Sequence, residues 1–172
     1  MNRELLTLEP SGIRRFTALA RATPGCAMLT IGEPDQNTPE PIKTACEQAL
    51  DANKTHYPVN AGDLELRQAV CAFEAARNGY DYAENEVLIT HGATEAPFVA
   101  MRGVLNPGDE VIVPALTFVA TAEAVERAGL TPVFADINAH FTMSPAQAAR
   151  RISPRTRALM PVHLYGAAAD IA

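Results

Sequence analysis

The chain has 172 residues, of which 48% are hydrophobic and 20% charged, and its formal net charge is -6. This length and apolar content suffice for one globular domain with a core and argue against a disordered chain. The negative balance disfavours a nucleic-acid partner, because binding to a phosphate backbone relies on clustered lysine and arginine.

The first 85 residues predict helices and loops, with no strand of any length. A first helix is expected over 11–21 with Ser11 as its N-cap, and a second follows the proline-rich segment 28–41. A third helix is expected over about 63–77. The apolar face predicted to be buried on this third helix consists of Leu66, Ala69, Val70 and Phe73. We therefore expect 1–85 to form an N-terminal helical segment.

From Glu86 the pattern changes to alternating strands and helices. Strands are expected at 86–90, 111–114, 131–137 and 157–166, with helices between them. The strands are short, apolar and non-alternating, which is typical of a parallel sheet buried on both faces. The sequence therefore predicts an α/β fold for 86–172, as a second domain.

The clearest chemical feature is the segment THGATEA, residues 90–96, where a strand is expected to end and a helix to begin. Gly92 and Ala93 allow an anion to approach the unpaired backbone N–H groups of the new helix, and the Thr94 hydroxyl can donate another hydrogen bond. This pattern predicts a phosphate site. The alternative is a tight strand-to-helix connection in which Thr94 serves as a helix cap.

Three cysteines without metal-ligand spacing, Cys26, Cys46 and Cys71, predict reduced thiols and no metal site. The polar start of the chain does not have the pattern of a secretory signal, and no apolar run has the length of a membrane helix. We therefore expect a cytoplasmic protein without a membrane partner.

Two sets of segments resemble known enzymes. IGEPDQNTPEPIKTACEQAL, THYPVNAGDLELRQAV, EVLITHGATEA and LNPGDEVIVP, within about 1–114, resemble the N-terminal half of fold-type I, class I/II aminotransferases. GDEVIVPALTFVATAEAVERAGLTPVFADI and ISPRTRALMPVHLYGAAADI, within about 106–172, resemble the DegT/DnrJ/EryC1/StrS branch. The resemblance implies a partial fold-type I large domain, with a parallel-rich sheet and flanking helices, in a partial or chimeric chain. It also implies that 1–85 carries substrate and dimer loops.

The resemblance further implies pyridoxal 5'-phosphate as cofactor, an amino donor and a keto acceptor as substrates, and a homodimer. The positions that match the cofactor-binding residues of the family are Gly92, Ala93, Thr94, Phe118 and Tyr57. Phe118 corresponds to the aromatic residue that stacks on the pyridine ring, and Tyr57 to the tyrosine that reaches the phosphate of the partner subunit. Their alternatives are a core phenylalanine and a surface loop tyrosine.

Two further positions are less clearly matched by motifs. Gly32, in GEPD, corresponds to a loop glycine near the substrate carboxylate, and its alternative is a turn former. His163 is expected at the carboxyl end of the fourth strand, which the resemblance places at the cofactor mouth. A core or supporting histidine is the alternative there.

The chain lacks a lysine in the setting that the family uses. In aminotransferases a lysine holds the cofactor covalently and moves the proton. The two lysines here are Lys43 and Lys54, and neither matches that setting, so no catalytic residue is assigned. One hypothesis is an incomplete aminotransferase, inactive alone. A second is a non-catalytic protein that binds phosphate or pyridoxal phosphate, or another partner, through the same fold. A third is a decarboxylase or lyase of the same fold.

The sheet order of the resembled fold has a consequence for stability. It leaves the strand predicted at 86–90 without its neighbours and gives the strand predicted at 157–166 an open edge. Unpaired apolar strands promote association with other chains. We therefore expect the isolated chain to be marginally stable or to form a rearranged sheet.

Overall fold

The computed structural model describes residues 12–171, which form two compact units divided between Tyr57 and Pro58. The predicted N-cap, Ser11, lies outside the described residues. The first unit contains helices α1 (Gly12–Ala22) and α2 (Glu40–Asp51). The second contains α3 (Leu64–Asn78), α4 (Glu95–Val104), β1 (Glu110–Pro114), α5 (Ala120–Arg127), β2 (Thr131–Ala135), α6 (Pro145–Arg151) and β3 (Thr156–Leu159). Two short 3₁₀ turns occur at Glu84–Glu86 and Leu164–Gly166. The domain division at residue 85 stays a prediction.

The first unit buries little of its apolar surface. Thr17 is the buried residue of α1, and its hydroxyl lies 2.8 Å from both the Ile13 carbonyl oxygen and the Thr30 hydroxyl. The large apolar residues of the same helix, Phe16 and Leu19 among them, are more than half exposed. Helix α2 starts at prolines, whose fixed φ suits a first turn, and none of its residues is buried.

The second unit is organised around three parallel strands in the order β2-β1-β3. β1 pairs residue for residue with β2, from Glu110 opposite Thr131 to Pro114 opposite Ala135. Its pairing with β3 contains a register shift between Glu110 and Val111. Helices alternate with the strands along the chain, so the predicted α/β fold with a parallel sheet is confirmed.

The core lies on both faces of β1, because side chains alternate along a strand. Val111 and Val113 pack on one face, with residues of α4 and α5 such as Met101 and Val125. Ile112 packs on the other face in a smaller cluster, whose other buried members are Ala135, Met143 and Ala148. β2 and β3 are only partly buried. Burial on both faces therefore holds for the central strand and was wrong for the outer two.

The strand predicted at 86–90 is absent from the described structure. A 3₁₀ turn occupies Glu84–Glu86, and the backbone N–H of Ile89 donates to the Ala61 carbonyl oxygen at 3.0 Å instead of joining a ladder. A strand needs a neighbouring strand for its backbone groups, and within residues 12–171 none lies beside this segment. The strand prediction was wrong here because its pairing partner is missing.

The fourth predicted strand is shorter than expected. β3 ends at Leu159, and Pro161 cannot donate a backbone hydrogen bond to a ladder. Beyond it the chain enters the 3₁₀ turn at Leu164–Gly166, where Tyr165 has a φ of 54°. The apolar composition predicted a strand through this region, whereas the proline and the left-handed turn end it early.

The face of α3 predicted to be buried is mostly exposed, with Val70 half-buried. Leu66 is 49% exposed and Phe73 is 55% exposed, and no residue of this helix is buried. The main packing partner of α3 among the described elements is the 3₁₀ turn at Glu84–Glu86. The helical spacing correctly predicted the helix, but its burial depends on neighbours that the described chain does not supply.

A group of hydrogen bonds around the Glu110 carboxylate joins the amino-terminal ends of β1 and β3. The Glu110 side chain is only 6% exposed and accepts hydrogen bonds from the Ser153 hydroxyl and from Arg155, whose Nε lies 2.9 Å from Oε1. The Thr156 hydroxyl lies at 3.4 Å from the other carboxylate oxygen. These bonds, with Ser153 first and Arg155 second, lower the pKa of Glu110.

Because the folded-state pKa of Glu110 is lowered, its stabilisation is complete above the ordinary glutamate pKa of about 4.3. It is lost as the pH falls through the lowered pKa. We expect Glu110→Gln to lower the urea midpoint at neutral pH and to flatten its decline in acid. Urea unfolding at several pH values measures this, with the exposed Glu126→Gln as control. An unchanged acid profile in Glu110→Gln would contradict the assignment.

Candidate cofactor-binding site

The loop before α4 is a tight turn closed by its own hydrogen bonds. Gly92 has a φ of +85°, in the left-handed region that favours glycine, and its N–H donates to the Thr90 carbonyl oxygen at 2.9 Å. The Thr90 hydroxyl donates back to the Gly92 carbonyl oxygen at 3.1 Å. The Glu95 N–H also donates to the Gly92 carbonyl oxygen, at 3.3 Å. These hydrogen bonds fix the backbone conformation of the turn that leads into α4.

The same turn leaves hydrogen-bond donors available. Within residues 12–171, the backbone N–H groups of Ala93 and Thr94 have no protein acceptor. Thr94 stands at the N-cap of α4, but its side chain makes no capping hydrogen bond. The alternative in which the Thr94 side chain caps α4 is therefore not supported. Two amides, a hydroxyl and the positive end of the helix dipole together provide the donors that an anion requires.

Glu95 adds a negative charge close to this turn. Its carboxylate Oε2 accepts from the His91 N–H at 2.6 Å and lies 3.2 Å from the His91 ring Nδ1. The backbone hydrogen bond from His91 is the main reason that the pKa of Glu95 is lowered. The ionised carboxylate thus occupies the His91 amide, while the amides of Ala93 and Thr94 stay accessible.

A cleft of about 450 Å³ lies between α4 and α5, beside the turn. It is lined by His91, Thr94, Glu95, Phe98, Glu123, Ala124 and Arg127. Thr94 lines the cleft, and its backbone N–H is one of the two amides that have no protein acceptor within residues 12–171. The cleft therefore opens next to the candidate anion site, with charged groups of both signs along its walls.

Phe118 follows the carboxyl end of β1, the edge of a parallel sheet at which ligands commonly bind. Its side chain is 65% exposed, so the alternative of a core phenylalanine is wrong. The Phe118 carbonyl oxygen accepts from the Thr121 N–H at 3.1 Å, which ties the residue to the first turn of α5. The backbone of Phe118 is thus anchored, and its exposed ring is available to a ligand.

Comparison with known protein families matches residues 46–172 to the model of the DegT/DnrJ/EryC1/StrS aminotransferase family. The chain belongs to this family. The match begins well before residue 106, so it includes most of the segment that also resembles the class I/II branch.

Individual relatives and solved structures similar to the chain are aminotransferases by name. The chain is 37% identical over 162 residues to the probable N-acetyl-LL-diaminopimelate aminotransferase of Bacillus subtilis, covering 93% of this chain and 41% of that protein. It is 37% identical over 158 residues to the aspartate aminotransferase of Pyrococcus horikoshii, covering 91% and 40%. The aspartate aminotransferase structure from Thermus thermophilus with maleate superimposes with a TM-score of 0.76 at 34% identity, covering 92% and 43%.

These proteins are much longer than the chain, which spans about two fifths of the length of the curated relatives it matches. The structure accordingly corresponds to part of an aminotransferase large domain. The predicted family and partial fold are confirmed, whereas the roles of individual site residues stay predictions.

The predicted site residues of this aminotransferase chain are divided between the two units. Gly92, Ala93, Thr94 and Phe118 belong to the second unit, and Tyr57 and Gly32 belong to the first. Tyr57 is fully exposed. Gly32 does not have a positive φ, and a Cβ there would meet no atom within 4 Å, so its backbone does not require glycine. The turn-former alternative therefore lacks support, and its role in binding substrate stays a prediction.

His163 lies just beyond β3, four residues after Leu159, and is exposed. Its ring Nδ1 accepts from the Ala169 backbone N–H at 2.9 Å. A neutral His163 therefore carries its proton on Nε2. The alternative of a core histidine is wrong, whereas its role at a cofactor mouth stays a prediction.

The lysines of the aminotransferase chain are both in the first unit. The Lys43 Nζ lies 3.1 Å from the Glu40 carboxylate, one turn earlier on α2. Lys54 follows α2, and its backbone N–H donates to the Ala49 carbonyl oxygen at 2.9 Å. Residues 58–172, which include the turn at Gly92, contain no lysine. The second unit therefore has no lysine side chain that could form an imine with an aldehyde.

The sequence pattern gives no role to Arg67, although this residue bridges the loop at Gly62 and the 3₁₀ turn at Glu84–Glu86. Its Nε donates to the Gly62 carbonyl oxygen at 3.1 Å, and its Nη1 donates to the Glu84 carbonyl oxygen at 2.6 Å. The feature visible in the sequence is an arginine in the first turns of a helix, and that helix follows a glycine. That signal does not reveal which carbonyl groups the arginine reaches.

Proposed function

We propose that this chain provides the cofactor-phosphate site of a pyridoxal-phosphate-dependent aminotransferase, which moves an amino group between an amino donor and a keto acceptor. The observation that carries the proposal is the pair of unpaired amides, Ala93 and Thr94, at the start of α4. Their arrangement suits a phosphate dianion. The family match supplies the reason to choose this cofactor among phosphate compounds.

In this proposal each residue has a separate task. Gly92 keeps the turn open to the phosphate, the amides of Ala93 and Thr94 donate to it, and the Thr94 hydroxyl adds a third donor. Phe118 covers one face of the pyridine ring and excludes water from it. When bound, pyridoxal phosphate supplies an electron sink for the substrate carbanion.

Two residues of the first unit complete the proposal. Tyr57 reaches the cofactor phosphate of a partner subunit, which makes the functional protein a homodimer, and its full exposure is compatible with that task. Gly32 lies near the substrate carboxylate. We also infer a cytoplasmic location, supported by three free cysteines among the described residues. No helix in that part of the chain is long and apolar enough to cross a membrane.

Because 58–172 lacks lysine, we propose that the chain binds the cofactor reversibly and does not complete the transfer by itself. The alternative, a non-catalytic binding or interaction protein, is favoured by the same absence. The reading frame after residue 172 distinguishes the two, because an incomplete aminotransferase requires a lysine-bearing segment to follow.

We expect pyridoxal phosphate to bind the purified chain reversibly and to leave no covalent label within residues 58–172 after borohydride reduction, because that part contains no lysine. Absorbance titration measures the binding, and mass spectrometry of the reduced protein measures the label. Lys43→Arg and Lys54→Arg serve as controls, because they keep the charge but cannot form a reducible link. Labelling of either lysine together with amino transfer would overturn the claim that a catalytic lysine is missing. Absence of binding to the wild-type chain would overturn the proposed site.

A further inference from the structure

The phosphate turn is the turn over residues 90–94, which we propose to hold the cofactor phosphate. The segment that leads into it does not belong to a sheet. Residues 87–90 form no ladder with any strand in the described part of the chain. One backbone hydrogen bond ties them to another segment, from the Ile89 N–H to the Ala61 carbonyl oxygen at 3.0 Å. The position of the turn therefore depends on the loop that contains Ala61.

That loop is closely fitted to Ile89. Gly62 has a φ of +91°, and its N–H donates to the Val59 carbonyl oxygen at 2.8 Å, which closes the loop. A Cβ added to Gly62 would lie 2.5 Å from Cγ1 of Ile89, so the Ile89 side chain packs directly over the glycine. The loop and residues 87–90 are therefore coupled by this packing contact and by the Ile89 hydrogen bond.

Arg67 holds this piece at two points. From the first turns of α3 its Nε donates to Gly62 and its Nη1 donates to Glu84, at the start of the 3₁₀ turn before the segment. A guanidinium presents these donors in one rigid plane, so it fixes the spacing between the two carbonyl groups. A lysine at this position has a single nitrogen and does not reproduce that spacing.

We propose that Arg67 is a positioning residue for the phosphate turn. The connection is short, because Ile89 is followed by Thr90, which bonds to Gly92 in both directions. A shift of the loop relative to Glu84 is therefore transmitted to the amides of Ala93 and Thr94. The inference rests on the proposed function for its ligand, whereas the mechanical link is a property of the chain itself.

The test compares Arg67→Ala and Arg67→Lys with Arg77→Ala, a matched control on the same helix whose guanidinium lies over the Phe73 ring at 5.9 Å. We expect Arg67→Ala to weaken pyridoxal phosphate binding about tenfold, as lost donors to two carbonyl groups imply. Pyridoxal, which has no phosphate, is expected to bind unchanged. Arg67→Lys should be intermediate, and Arg77→Ala should match the wild type.

Amide hydrogen exchange of Ile89 and Gly92 without ligand provides a second measurement, and both amides should exchange faster in Arg67→Ala. An equal loss of affinity for pyridoxal and pyridoxal phosphate would overturn the proposal, because it indicates general unfolding. Unchanged phosphate-dependent binding would also overturn it. If the wild-type chain binds neither compound, the proposed function fails, and unchanged exchange in Arg67→Ala then decides against the positioning role as well.

Discussion

Replacing Gly92 by valine is expected to weaken pyridoxal phosphate binding about 100-fold or more, the combined effect of backbone strain and misplaced donors. Gly92 has a φ of +85°, a conformation that a β-branched residue rarely adopts. A Cβ there would meet no atom within 4 Å, so the effect comes from the backbone and not from a clash inside the protein. Relaxation of the turn would redirect the amides of Ala93 and Thr94.

Gly103→Ala is the matched control for this experiment. Gly103 lies inside α4, has no positive φ, and a Cβ there also meets no atom within 4 Å. Alanine favours a helix more than glycine does, so this variant should bind as well as the wild type or unfold at a slightly higher temperature. Dissociation constants from absorbance titration and thermal midpoints measure both effects. Wild-type affinity in Gly92→Val would remove the main support for the phosphate site.

The isolated chain is expected to self-associate at micromolar concentration, because both outer strands have an unpaired edge within the described sheet. Phe134 on β2 and Leu159 on β3 are each about half exposed. An apolar groove of about 440 Å³ lies beside β3, and its lining includes Ile152, Leu159 and Ile171. Exposed apolar surface next to an open strand edge promotes contact between chains.

Sedimentation velocity over a range of concentrations measures this association. Leu159→Lys is expected to reduce it, because a charge on an edge strand opposes edge-to-edge pairing. Val104→Lys is the control, since Val104 is 77% exposed and lies at the end of α4 and not on an edge strand. A monomer with a cooperative thermal transition at every concentration would contradict the prediction.

Local sequence patterns were sufficient to predict most of the helices and strands. Within residues 12–171, the six helices lie close to the positions that the sequence predicts, because helical spacing and prolines at helix starts are properties of neighbouring residues. β1 and β2 lie in short apolar runs that were predicted as strands, whereas β3 overlaps its predicted run only at residues 157–159. The tight turn at Gly92 likewise follows from its own small residues.

By itself the sequence determined the family, the alternation of helices and strands, and the presence of a small-residue turn ahead of α4. The tertiary structure decided which apolar segments are paired and buried. Residues 87–90 form no strand and α3 has no buried residue, because pairing and burial depend on neighbours that are distant in sequence. For the same reason, only the structure showed that Arg67 reaches Gly62 and Glu84, and that the amides of the phosphate turn are unpaired.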